Sequence, residues 1–144
     1  MNTNFSTQSH RWLVVDDEPE LSELIALGLA AIATEPVENY TSSPAALARL
    51  AAEPLGFDLL ITDRDMPQLD GIELARRVHA AAPGVKVILV SANVDDLSRE
   101  DLDRAGISGV VQKPFTLQSL QAAARPYMAL PQAAHLPSTM QHAA

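Results

Sequence analysis

Leu59–Leu60–Ile61–Thr62–Asp63, LLITD, is the most informative run in the chain. Three successive large apolar residues running into an acid suit a strand that is covered on both faces and whose carboxyl end opens to solvent. VKVILV at Val85 to Val90 is a second run of this kind and WLVV at Trp12 to Val15 a third. A weak run around Val37 to Tyr40 and another at Gly109 to Gln112 complete a set of five. VENY is polar, which suits the edge of a sheet.

Segments of helical period separate these runs. They begin after Pro19, at Ser43–Pro44, at Asp70, near Asp95 and at Thr116. Ser43 followed by Pro44 reads as an N-cap and first helical residue. Leu21, Leu24, Ile25 and Ile32 put an apolar stripe on the first helix. Pro126 limits the last one, because proline cannot sit inside a continuing helix. Five strand–helix units predict a doubly wound α/β domain, a parallel sheet with helices on both faces joined by right-handed crossovers. No repeat or composition break divides residues 11–127. Residues 1–10 read as a frayed leader and residues 128–144 as a disordered tail.

The chain has 144 residues, no cysteine and a formal net charge of −8. The missing thiols exclude cysteine nucleophiles, thiolate metal sites and redox pairs, and fit a reducing compartment. Scattered Lys and Arg in an acidic chain argue against direct nucleic acid binding. The longest uncharged apolar stretch, Leu24 to Ala33, has ten residues, against the ~20 that span a bilayer. No membrane insertion is expected. The polar first ten residues carry no secretory h-region, and the expected location is cytoplasmic. His10, His79, His135 and His142 show no close pairing and predict no metal site; His79 reads as a helix-surface residue.

The polar residues that carry chemistry gather at strand ends. Asp16 and Asp17 follow WLVV, Asp63 follows LLIT, Ser91 follows VILV, and Lys113 follows VVQ. In an open α/β sheet these positions face one crevice. If the first and third strands are neighbours, Asp16, Asp17 and Asp63 lie roughly 5 Å apart, and each like-charge pair costs on the order of 3 kcal/mol at an effective dielectric of 20. Such a cluster calls for a cation, and a few hard carboxylate oxygens favour Mg²⁺, which commonly bridges carboxylates to a phosphoryl group. Lys113 adds a point charge suited to phosphate. A free carboxylate there is placed to attack phosphorus and form an aspartyl phosphate.

VVDDEPE at Val14 to Glu20, ITDRDMPQLDG at Ile61 to Gly71, VSA at Val90 to Ala92 and KPF at Lys113 to Phe115 together resemble the receiver domain of two-component response regulators. The resemblance covers about residues 11–127. It implies the flavodoxin-like (βα)5 fold with strand order 2-1-3-4-5. By position it also implies that Asp63 is the phosphoacceptor and that Asp16, Asp17 and the backbone carbonyl of Asp65 hold Mg²⁺ with Asp63. Ser91 would be the hydroxyl that turns toward the phosphoryl group, Lys113 the partner of Asp63, and Lys113–Pro114 a cis bond. Met66, Pro67 and Gly71 would shape the loop beneath the acceptor. The family's usual aromatic residue on the last strand is replaced by Val110, so output is expected to rely on loop and helix shifts.

The resulting expectation is a phosphorylation switch rather than an enzyme. A histidine kinase or histidine phosphotransfer protein would supply the phosphoryl group, and a downstream protein target would respond to a changed surface. A stand-alone receiver without an output domain is expected, as a monomer or weak dimer. Two alternatives stand beside this one. Asp63–Arg64–Asp65 could be the paired aspartates of a haloacid-dehalogenase-like phosphatase, although that motif belongs on a first strand. A flavin-phosphate binder would share the topology, but the carboxylates of DDEPE would repel the phosphate. The acidic run Asp95, Asp96, Glu100, Asp101 and Asp103, interleaved with Arg99 and Arg104, reads as a solvated helix face or part of a partner surface.

Overall fold

A computed structural model describes residues 11–128. The leader at 1–10 and the tail beyond residue 128 lie outside the described residues. Strand β1 (Arg11–Val15) leads to helix α1 (Pro19–Ala30), then β2 (Glu38–Tyr40), α2 (Ser43–Ala52), β3 (Phe57–Asp63), α3 (Gly71–Ala81), β4 (Lys86–Ser91), α4 (Arg99–Arg104), β5 (Ile107–Gln112) and α5 (Leu117–Ala124), followed by a 3₁₀ turn at Arg125–Tyr127. The strands form one parallel sheet in the order β2-β1-β3-β4-β5. The polar β2 is an edge strand, as its composition predicts.

Alternation along each strand divides the core in two. Leu13, Val15, Leu60, Val87 and Leu89 point to the face covered by Ala46 and Leu50 of α2 and by Leu74, Ala75 and Val78 of α3. Trp12, Val14, Leu59, Ile61, Ile88, Val90 and Val111 point to the opposite face, beneath Ile25, Ala26 and Leu29 of α1 and Leu120 and Ala124 of α5. Side chains on both faces explain why LLI and VILV show no polar alternation.

Several boundaries differ from the sequence expectation. β3 starts at Phe57, whose ring is buried beneath the guanidinium groups of Arg11 and Arg49 at 4.5 and 5.0 Å. β5 starts at the buried Ile107. The α2 cap is Ser42 rather than Ser43: Ser42 accepts from Ala45 N–H at 3.2 Å, while Ser43 is buried in the first turn. The inward stripe of α1 is Ser22, Ile25, Ala26 and Leu29, whereas Leu24 is 47% exposed and Ile32 lies past the helix end. α4 begins only at Arg99, because Ser98 caps it by accepting from Asp101 N–H at 3.0 Å. Asp95 and Asp96 therefore sit in the β4–α4 loop.

Candidate phosphoacceptor and metal site

β1 and β3 are adjacent, yet the chain leaves them in opposite directions across the sheet, to β2 and to β4. This reversal opens a crevice beyond their carboxyl ends. Val15 pairs with Thr62 and Asp63 with Val90, so the residues immediately past β1 and at the end of β3 meet there. Carboxylate oxygens of Asp16, Asp17 and Asp63 lie within 4.8 Å of one another. Asp16 and Asp63 are buried and Asp17 is exposed.

Asp16 has a divided role. Its Oδ1 accepts from Glu18 N–H at 2.9 Å and shapes the turn into α1. Its Oδ2 is buried with no hydrogen-bond partner. The helix itself is capped by Glu18 with no side-chain bond, and Pro19 opens it, so helix capping does not account for Asp16. Burial raises the Asp16 carboxyl to about 6; the Glu18 N–H opposes the shift and the negative charge of Asp63 reinforces it. An orphaned buried carboxylate oxygen among three hard donors fits a small divalent cation such as Mg²⁺.

Lys113 reaches in from the end of β5, where its backbone N–H donates to Ser91 O at 2.8 Å. Its Nζ donates to Asp63 Oδ1 at 2.9 Å. Burial pulls this ammonium down, but the hydrogen bond and charge of Asp63, helped by Asp16 and Glu18, outweigh it and leave the group raised. The Lys113–Pro114 peptide is cis, as the resemblance implies. Lys113→Met should cost on the order of 2 kcal/mol in metal-free protein, since it removes a charged hydrogen bond and leaves a buried carboxylate among other acids. Urea unfolding tests this: added Mg²⁺ should restore part of the loss, and an unmoved midpoint would contradict it.

Ser91 ends β4 and is 1% exposed. Its hydroxyl donates to Asn93 O at 2.8 Å and accepts from Asn93 N–H at 3.2 Å, so it is engaged with its own loop. Val110 is partly buried and lines, with Val94, Leu97, Leu102 and Gln112, a recess of about 250 Å³ beside α4. His79 is exposed on α3, close to Gly106.

One set of contacts was not legible in the sequence. Arg64, next to Asp63, makes a two-point ion pair with Asp96, Nη1 to Oδ1 at 2.9 Å and Nη2 to Oδ2 at 2.6 Å, and Nη1 also donates to Asn93 O at 2.8 Å. The expected solvated helix face is thus corrected for Asp96, which is off the helix and paired. A separation of 32 residues leaves no local signal for this pair.

Residues 12–125 match the response regulator receiver domain, and the chain belongs to that family. The response regulator receiver protein CpdR of Brucella abortus is 33% identical over 110 residues, which are 76% of this chain and 89% of that protein. The transcriptional regulatory protein TrcR of Mycobacterium tuberculosis is 30% identical over 115 residues, 80% of this chain but 44% of its own length. Among solved structures, a response regulator receiver domain protein from Clostridium thermocellum has a TM-score of 0.73 at 27% identity, covering 83% of this chain and 94% of that one. The chemotaxis protein CheY4 of Vibrio cholerae also has a TM-score of 0.73, at 20% identity over 83% and 99% of the two chains, a likeness of fold alone. The protein is a receiver domain of two-component signalling, and receiver domains act as signalling switches. Among the described residues, no helix is long and apolar enough to cross a membrane.

Proposed function

We propose that Asp63 accepts a phosphoryl group in a Mg²⁺-dependent reaction and that the added charge reshapes a protein-binding surface. The observation that carries this reading is the setting of Asp63. One oxygen is held by Lys113 at 2.9 Å, and the carboxylate lies among acids whose buried Asp16 Oδ2 lacks a partner. Asp16, Asp17, Asp63 and the backbone carbonyl of Asp65 would hold the cation, which supplies neutralisation of phosphoryl oxygens when bound.

Asp63 attacks phosphorus with a carboxylate oxygen, and the bond from phosphorus to the donor breaks with its electron pair leaving on the donor. With a histidine kinase or histidine phosphotransfer protein as donor, the leaving group is the imidazole nitrogen. Lys113 transfers its hydrogen bond from the carboxylate to the phosphoryl oxygens, and Ser91 turns toward them. The receiver unit is residues 11–127, acting in the cytoplasm through a downstream protein target. With Val110 on β5, no large ring follows the Ser91 hydroxyl, and output is carried by the β4–α4 loop and α4. Incubation with a small acyl phosphate tests the chemistry. Label should require Mg²⁺, vanish with a chelator and be released by hydroxylamine, as an acyl phosphate is. Label that resists hydroxylamine would contradict an aspartyl phosphate.

A further inference from the structure

The loop that follows β4 is held at three points. Ser91 Oγ donates to Asn93 O at 2.8 Å, Arg64 Nη1 donates to the same carbonyl at 2.8 Å, and the Asp96 carboxylate takes both terminal nitrogens of Arg64. Arg64 is itself firmly seated. Its N–H donates to Val90 O at 2.9 Å and its carbonyl accepts from Gly71 N–H at 2.8 Å. The residue beside the acceptor therefore grips the loop to which the Ser91 hydroxyl is bonded. A planar two-point guanidinium–carboxylate pair fixes orientation as well as distance.

We propose that Arg64 is a positioning residue that holds the Asn93–Asp96 loop in the arrangement that keeps the Ser91 hydroxyl on Asn93, and that it thereby restrains phosphorylation of Asp63. The proposal rests on Asp63 as acceptor and Ser91 as the hydroxyl that meets the phosphoryl group. For that hydroxyl to turn, either it leaves both of its bonds to Asn93 or the Asn93 loop moves with it. While Arg64 pins the Asn93 carbonyl and Asp96, the loop cannot travel with Ser91 and the bonds must break in place. Releasing the clamp lets loop and hydroxyl move together. The arrangement that receives the phosphoryl group is then more populated before transfer.

The test is the rate of phosphorylation by acetyl phosphate and Mg²⁺, followed by intact mass in native protein, Arg64→Gln, Asp96→Asn and the double variant. Each single variant should be phosphorylated about fivefold faster, at the low end of typical coupling between sites. The double variant should be no faster than either single, because both remove one clamp. In a Ser91→Ala background, Arg64→Gln should change nothing, an outcome that a general loosening of the fold would not produce. Asp96 is 54% exposed in its side chain, so Asp96→Asn keeps the test decisive if Arg64→Gln folds poorly. Normal labelling of native protein with unchanged or slower variants would overturn the clamp alone. So would acceleration that persists without Ser91. Absence of label on native protein would overturn the acceptor assignment and the clamp with it.

Discussion

Gly71→Ala should destabilise the protein by about 3 kcal/mol, roughly 10 °C in Tm for a chain of this size. Gly71 opens α3 directly beneath the end of β3, and its N–H donates to Arg64 O at 2.8 Å. A Cβ there would lie 2.3 Å from Asp63 O, 2.9 Å from Arg64 Cα and 2.9 Å from Leu89 Cδ1. Two of these are backbone atoms that cannot rotate aside, so the helix must move outward, and the methyl group displaces the main chain of Asp63 itself. Stability and phosphorylation rate should fall together. Gly84→Ala is the matched control, since a Cβ there meets nothing within 4 Å. Thermal unfolding decides the matter, and a Gly71→Ala protein that melts within about 2 °C of the native one contradicts the packing argument.

The second large effect concerns pH. Asp16 is raised from 3.8 to about 6 chiefly by burial. A group whose folded pKa lies above its unfolded one adds stability in full below the unfolded value and loses it as pH rises through the folded value. Metal-free protein should therefore lose about 2 kcal/mol from this group between pH 4 and pH 7. The hydrogen-bonded Glu38 and Glu53, whose carboxyls are lowered by Arg49 first of all, act in the opposite sense, and their contribution fades at more acid pH. The difference between native protein and Asp16→Asn isolates the Asp16 part. The variant should be the more stable by about 2 kcal/mol at pH 7.5 without metal. Mg²⁺ should stabilise native protein and leave the variant nearly unmoved. Urea unfolding at pH 4, 5.5 and 7.5, with chelator or Mg²⁺, provides the comparison. Equal stabilisation of both proteins by Mg²⁺ would exclude Asp16 as a ligand.

What the sequence made legible was set by strand ends. Continuous apolar runs announce strands covered on both sides, and the polar residue that stops each run marks the crevice, so Asp16, Asp17, Asp63, Ser91 and Lys113 could be picked out together. Geometry within the crevice was not available. Nothing in DDEPE says that one oxygen of Asp16 serves the turn while the other stays unpartnered, because that depends on the angle at which α1 leaves β1. The position of α4 was also hidden. The acidic run from Asp95 has helical composition, but the loop geometry around Asn93 and the cap at Ser98 delay the helix to Arg99. The role of Arg64 could not be seen at all, since its partner lies in that delayed loop. Local propensity fixes elements well and tertiary pairs poorly.

Whether Asp63 takes the phosphoryl group is decided by intact mass after incubation with Mg²⁺ and acetyl phosphate, comparing native protein with Asp63→Asn. A gain of one phosphoryl group by native protein, absent from the variant while its fold and Tm are retained, is the predicted result. Equal gain by both proteins, or none by native protein with Mg²⁺ in excess, would contradict Asp63 as the acceptor.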